Sequence, residues 1–144
     1  MKQLIWFVLG CSLAGAANAA SFKITDAWAQ PSVSAEMGVA YATLVSDAPC
    51  TIIAADAPDV TKVTELHSHA MQNGVMQMRK IDALKLTANT PEVFAPGGNH
   101  VMLIGLKKPL RDGDSFKLTL TSRECGSAST SVSVSKARLQ DALK

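Results

Sequence analysis

The segment 65-ELHSHAMQNGVMQMRK-80 decides how this chain reads. At its centre Asn73-Gly74 separates two alternating runs, and both central positions of a tight hairpin turn want a positive φ, which Asn and Gly supply. The segment is therefore expected to be a β-hairpin. Side chains alternate faces along a strand, so Glu65, His67 and His69 share one face of the first arm, while Met76 and Met78 share one face of the second.

The same alternation runs outward in both directions. FKITDAW, GVAYATLVS, CTIIAA, EVFA, HVMLIGL, SFKLTLTS and STSVSVS are short, rich in β-branched residues and partly alternating. Turn-forming residues separate them: Asp47-Ala48-Pro49, Ala57-Pro58-Asp59, Pro96-Gly97-Gly98, Lys108-Pro109 and Asp112-Gly113. Together with the hairpin they predict an all-β sandwich or barrel of about eight or nine short strands. Only SKARLQDALK at the C-terminus reads as helical, with Leu139, Ala142 and Leu143 on one face. A helix that short needs a surface to dock on.

The N-terminus has a different character. MKQLIWFVLGCSLAGAANAA carries one lysine, an apolar run and then small residues, the layout of a secretory signal peptide with Ala17-Asn18-Ala19 as the cleavage site. The apolar run is shorter than the roughly 18 residues a membrane span needs. Lipid attachment at Cys11 through VLGC is the weaker reading, because Leu9 is large for that motif. Residues 1–19 are thus expected to be a leader and residues 20–144 a single domain, exported to an oxidising compartment. The formal net charge of +2 over 144 residues argues against a nucleic-acid surface or strong attraction to membranes. Nothing in the pattern calls for a partner copy, so a monomer is expected.

Of the three cysteines, Cys50 and Cys125 lie outside the leader. An even number in an oxidising compartment predicts one disulfide. The alternative is a thiol pair that binds metal or exchanges electrons, and neither cysteine sits in a C-x-x-C.

The chemistry-bearing residues are concentrated. All three histidines, His67, His69 and His100, lie in the hairpin and in HVM, the same two segments that hold Met71, Met76, Met78 and Met102. Singly, each methionine reads as core packing and each histidine as a hydrogen-bonded residue. Brought together, imidazoles and thioethers form a neutral, soft donor set. Thioether sulfur is a poor partner for zinc, calcium or magnesium and a good one for Cu(I), so the combination selects copper. A blue-copper site would need a cysteine ligand, and Cys125 is followed by no histidine. A three-histidine zinc site with Glu65 as base would leave the methionines unexplained. No nucleophile, base and orienting group stand out, so no enzyme is expected.

The spacing from His67 through Met78 and His100 to Met102 is H-x10-M-x21-H-x-M, and in this the chain resembles the periplasmic copper chaperones of the PCuAC family. ITDAWAQPS, GVAYATL and APGGNHVMLIGLKKPLRDGDSFKLTLT are similar to other segments of that family. The resemblance implies a cupredoxin-like Greek-key β fold and one Cu(I) per domain, held by His67, Met78, His100 and Met102. It also implies delivery of copper for cytochrome c oxidase assembly, with the copper-site subunit of the oxidase and a Sco-type thiol protein as partners. His69, Met71 and Met76 are left with auxiliary roles, beside the ligands or on an approach path to them. Asn99 stands where family members often carry a bulkier residue. The runner-up function is copper sequestration or storage without an oxidase client. A β-sandwich adhesin or scaffold with methionine-rich packing would bind no metal.

Overall fold

The structure is a computed structural model that describes residues 19–144. Apart from residue 19, the leader expected over residues 1–19 lies outside the described residues. Among the described residues, no helix is long and apolar enough to cross a membrane.

Ten strands and one helix follow one another: β1 (Phe22–Ala29), β2 (Met37–Ser46), β3 (Cys50–Asp56), β4 (Thr61–Gln72), β5 (Val75–Ile81), β6 (Leu84–Leu86), β7 (Glu92–Val93), β8 (His100–Leu106), β9 (Ser115–Ser122), β10 (Ser127–Val134) and α1 (Lys136–Ala142). They form one sheet in the order β5-β4-β8-β2-β1-β10-β9-β3-β6, with β7 added onto β2. β1 joins the two halves, pairing antiparallel with β2 and parallel with β10. This is the all-β fold expected from the strand pattern, in the Greek-key form that the family resemblance implies. The additional strand is β6, three residues that pair with the start of β3.

Alternation places the core. In β9 Phe116, Leu118 and Leu120 point inward, as do Val132 and Val134 of β10. Their outward neighbours are polar and pair across the strands, Thr119 with Ser129 at 2.7 Å and Thr121 with Ser127 at 3.2 Å. Leu44, Ile52, Val101 and Leu103 complete the interior. β8 is buried on both faces from His100 to Leu103. Val101 and Leu103 join the hydrophobic core, which leaves His100 and Met102 buried on the opposite face of the strand.

A disulfide joins Cys50 at the start of β3 to Cys125 in the β9–β10 turn, with the Cα atoms 5.8 Å apart. The C-terminal helix finds the surface it needs. Ser135 caps it by accepting from the Arg138 backbone N–H, and Arg138 donates twice to Asp26, at 2.7 and 2.8 Å. The same guanidinium lies 5.3 Å from the centre of the Trp28 ring, and Leu139 packs against the core.

Candidate metal centre

The hairpin forms as its sequence requires. Asn73 and Gly74 have φ of 54° and 77°, the left-handed values of a two-residue turn, and β4 pairs with β5 from Leu66↔Ile81 to Gln72↔Val75. β4 is longer than β8 can match. Its pairing with β8 ends at His67↔His100, so residues 68–72 run on past the sheet and carry β5 with them. The hairpin thus overhangs the start of β8.

Directly opposed residues share a face of a sheet. The pairs His67↔His100, Glu65↔Met102, His69↔Met78 and Met71↔Met76 therefore place every histidine and four methionines on one side of β5-β4-β8. At the centre is His100, 2% exposed. Its Nε2 lies 3.3 Å from Met78 Sδ, and its ring centre is 5.7 Å from that of His67 and 5.3 Å from that of His69. Met102 follows on the same face of β8 at 4% exposure, whereas Met78 is 50% exposed. The sequence expectation that these side chains share a face holds in the structure. Met71 and Met76 lie further out, opposite each other near the turn.

Hydrogen bonds fix which nitrogen each ring presents. The Gly98 carbonyl accepts from His100 Nδ1 at 3.0 Å and from His69 Nδ1 at 3.2 Å. A carbonyl can only accept, so both Nδ1 atoms carry the proton and both Nε2 atoms keep a free lone pair. The Pro96-Gly97-Gly98 turn makes this possible. Gly97 has φ 84°, and Gly98 N–H donates back to Ala95 O at 2.9 Å. His67 is turned the other way, with Nε2 donating to Glu65 Oε2 at 2.8 Å. Its Nδ1 is buried and has no hydrogen-bond partner. Leaving such an atom unsatisfied costs on the order of 1–3 kcal/mol. A ligand that accepts the lone pair would remove that cost.

Electrostatics keep the buried His100 ring neutral. Burial pushes the His100 pKa below its ordinary value of 6.5, more than the hydrogen bond to Gly98 restores it, with His69 and His67 adding to the lowering. The hydrogen bond from His67 holds the Glu65 carboxyl below the usual range, with help from Lys80, whose Nζ is 3.7 Å from Glu65 Oε1. Among the described residues, no three His, Cys, Asp or Glu side chains converge as a metal site. A three-histidine zinc centre therefore lacks its geometry, and the donors that do converge are imidazole and thioether.

Two contributors position the ligands without belonging to the donor set. Glu65 stands out in the sequence only as a base for a zinc site, although its place two residues before His67 on the same strand face marks it as a partner of that ring. The Gly98 carbonyl has no side-chain signature at all. Asn99 lies beside the site, but its Nδ2 donates to Glu92 Oε1 at 3.0 Å, which ties it to the β7 segment.

The chain is similar in sequence to a lipoprotein family and in fold to solved copper-binding domains. The lipoprotein family described as LpqE-like matches residues 22–134. "Putative lipoprotein Lxx21020" of Leifsonia xyli subsp. xyli is 29% identical over 100 residues, 68% of this chain, and the chain spans 60% of that relative's length. The copper-bound PCuAC domain from PmoF2 has the same fold, with a TM-score of 0.65 over 83% of this chain and 96% of that domain at 22% identity. The CuI-DR1885 structure from Deinococcus radiodurans superimposes with a TM-score of 0.58 at 30% identity, over 85% of this chain and 83% of that one. On a family match from β1 to the end of β10 and a relative at 30% identity, the chain belongs to the LpqE-like family, which is the PCuAC family.

Proposed function

We propose that this protein is an extracytoplasmic copper chaperone that carries one Cu(I) on His67, Met78, His100 and Met102. The observation that carries the reading is His100: its Nδ1 is tied to the Gly98 carbonyl while its Nε2 faces Met78 Sδ at 3.3 Å. A nitrogen lone pair and a thioether sulfur so close attract nothing from each other, and a soft cation between them would use both. The unpartnered Nδ1 of His67 supplies a second nitrogen, and Met102 a second sulfur on the face they share. The similarity to copper-bound PCuAC domains adds support.

The donor set suits a carrier rather than a catalyst. Four neutral ligands satisfy a closed-shell ion without adding charge, and the absence of thiolate lets the ion leave again and avoids oxidation outside the cytoplasm. The unequal exposure of the sulfurs gives a release route. Half-exposed Met78 is the ligand a partner's thiolate can displace first, while buried His100 and Met102 hold the ion until transfer. Delivery for cytochrome c oxidase assembly, alongside a Sco-type thiol protein, is the destination we infer.

Anaerobic titration with Cu(I) against a competing chelator tests the site. The expected result is one tightly bound equivalent, lost in the Met78→Ala/Met102→Ala double variant, and unchanged affinity in that variant would overturn the ligand set. Loss of oxidase activity on deletion, restored by added copper, tests delivery. Copper sensitivity without an oxidase defect would instead indicate sequestration.

A further inference from the structure

Met71 and Met76 stand outside the four-ligand set, and their placement is not that of core residues. They are 68% and 56% exposed, at the overhanging end of the hairpin. An exposed thioether gains little from burial and is open to oxidation to the sulfoxide. Yet the two oppose each other directly, on the same face as His69↔Met78 and His67↔Lys80. In a two-residue hairpin the pair closing the turn, here Gln72↔Val75, is the hydrogen-bonded one. Strict alternation then makes Met71↔Met76 and His69↔Met78 non-hydrogen-bonded pairs, in which opposed side chains approach most closely. Successive pairs on one face are about 7 Å apart along the strands.

His69 links the two levels. Its Nδ1–H is engaged by the Gly98 carbonyl, so its free Nε2 is a donor without a role in the inner set. Its ring centre lies 5.3 Å from that of His100.

We propose that Met71, Met76 and His69 Nε2 form a second, outer Cu(I) site at the hairpin tip, a loading station from which the ion passes inward by way of Met78. This rests on the inner-site reading above. Two thioethers and one imidazole make a neutral three-coordinate site, which suits Cu(I). It has one ligand fewer than the inner set and lies open to solvent, so it binds more weakly and exchanges faster. Transfer needs no redox step: a thioether of the outer site leaves as Met78 Sδ binds, and copper remains Cu(I) throughout.

The test uses purified protein with ¹³C-methyl-labelled methionine, kept anaerobic, with Cu(I) added stepwise and loading from a Cu(I)–chelator complex followed by stopped flow. The first equivalent should shift the Met78 and Met102 methyl signals, and the second those of Met71 and Met76. The Met71→Leu/Met76→Leu variant keeps the apolar surface and removes only sulfur. It should take up a single equivalent with inner affinity within threefold of the original, and should load at least tenfold more slowly. Met71 and Met76 methyls that stay unmoved through two equivalents, or loading at the original rate in the variant, would overturn the outer station. A tenfold loss of inner affinity in the variant would also overturn it, by making these methionines inner ligands. Failure of the inner reading looks different: the first equivalent would then leave Met78 and Met102 unmoved.

Discussion

His100 Nε2 and Met78 Sδ lie 3.3 Å apart although their strands, β8 and β5, are not paired to each other. β4 runs between them, and the two side chains meet because the hairpin extends past the last β4–β8 pair, His67↔His100. The position of Met78 is thus a consequence of strand length. A β4 that ended with β8 would leave no overhanging arm for Met78. The site depends equally on a backbone group, since the Gly98 carbonyl sets the tautomer of both His69 and His100.

Glu65 is expected to tune copper binding without touching the ion. It orients His67 through the 2.8 Å hydrogen bond at Nε2 and leaves Nδ1 facing inward. Removing a group that orients a ligating imidazole typically weakens metal binding by about 10- to 100-fold. Glu65→Ala should fall in that range, and Glu65→Gln, which keeps an acceptor, should fall nearer the original. Competition titrations against a Cu(I) chelator measure both. Equal affinities in the two variants would show that the hydrogen bond does not matter.

Gly97 should be more sensitive than its surroundings suggest. An added Cβ would meet nothing within 4 Å, so the constraint is its φ of 84°. Alanine in that left-handed conformation costs on the order of 1–2 kcal/mol. If the turn relaxes instead, the Gly98 carbonyl moves and both rings lose their anchor. Gly97→Ala should therefore either lower the melting temperature by several degrees or weaken Cu(I) binding at unchanged stability. Thermal unfolding and titration on the same sample separate the two, and a variant unchanged in both would contradict the role given to the turn.

Much of this was legible because local rules and tertiary structure agree. Asn73-Gly74 marks its hairpin in any context, and the partial alternation in FKITDAW, SFKLTLTS and STSVSVS finds the strands β1, β9 and β10. The shared face of Glu65, His67 and His69 followed from strand period alone. The elements that escaped are those without local signal. β6 spans only Leu84–Leu86, too short for alternation to register, and is specified by its partner, the start of β3. EVFA reads as a strand of four, but β7 spans only Glu92 and Val93, and Phe94 adds a single backbone bond to Ala42 of β2 at 2.8 Å. The parallel pairing of β1 with β10, and the meeting of His69 and His100 at one carbonyl, join residues far apart in sequence. No periodicity encodes them.

The disulfide should contribute stability and leave the proposed ligands intact. Cys50 and Cys125 are 75 residues apart in sequence. Closing a loop of that length restricts the unfolded chain by about 4–5 kcal/mol in the loop-entropy model. The Cys50→Ser/Cys125→Ser variant should show a comparably lower unfolding free energy in denaturant titrations, yet keep the original Cu(I) affinity at the inner site while folded. Loss of copper binding in a folded variant would place the cysteines in the metal chemistry, the thiol-pair alternative.

Acid should act on fold and site through the same ring. Burial lowers the folded-state pKa of His100 below its ordinary 6.5. As pH falls, the unfolded chain therefore takes up this proton before the folded one does. His100's contribution is fully present above the unfolded value and is lost as pH drops through the folded one. The melting temperature of the metal-free protein should accordingly hold steady above about pH 7 and decline below about pH 6.5. Cu(I) must compete with the same proton for Nε2, so affinity should also fall on acidification, with onset displaced to lower pH by the lowered value. Changing His100 to asparagine should flatten the melting-temperature profile in this range. Measurements down to about pH 4, with folding monitored by circular dichroism, decide the point: an affinity that stays constant while the protein remains folded would exclude imidazole as a ligand.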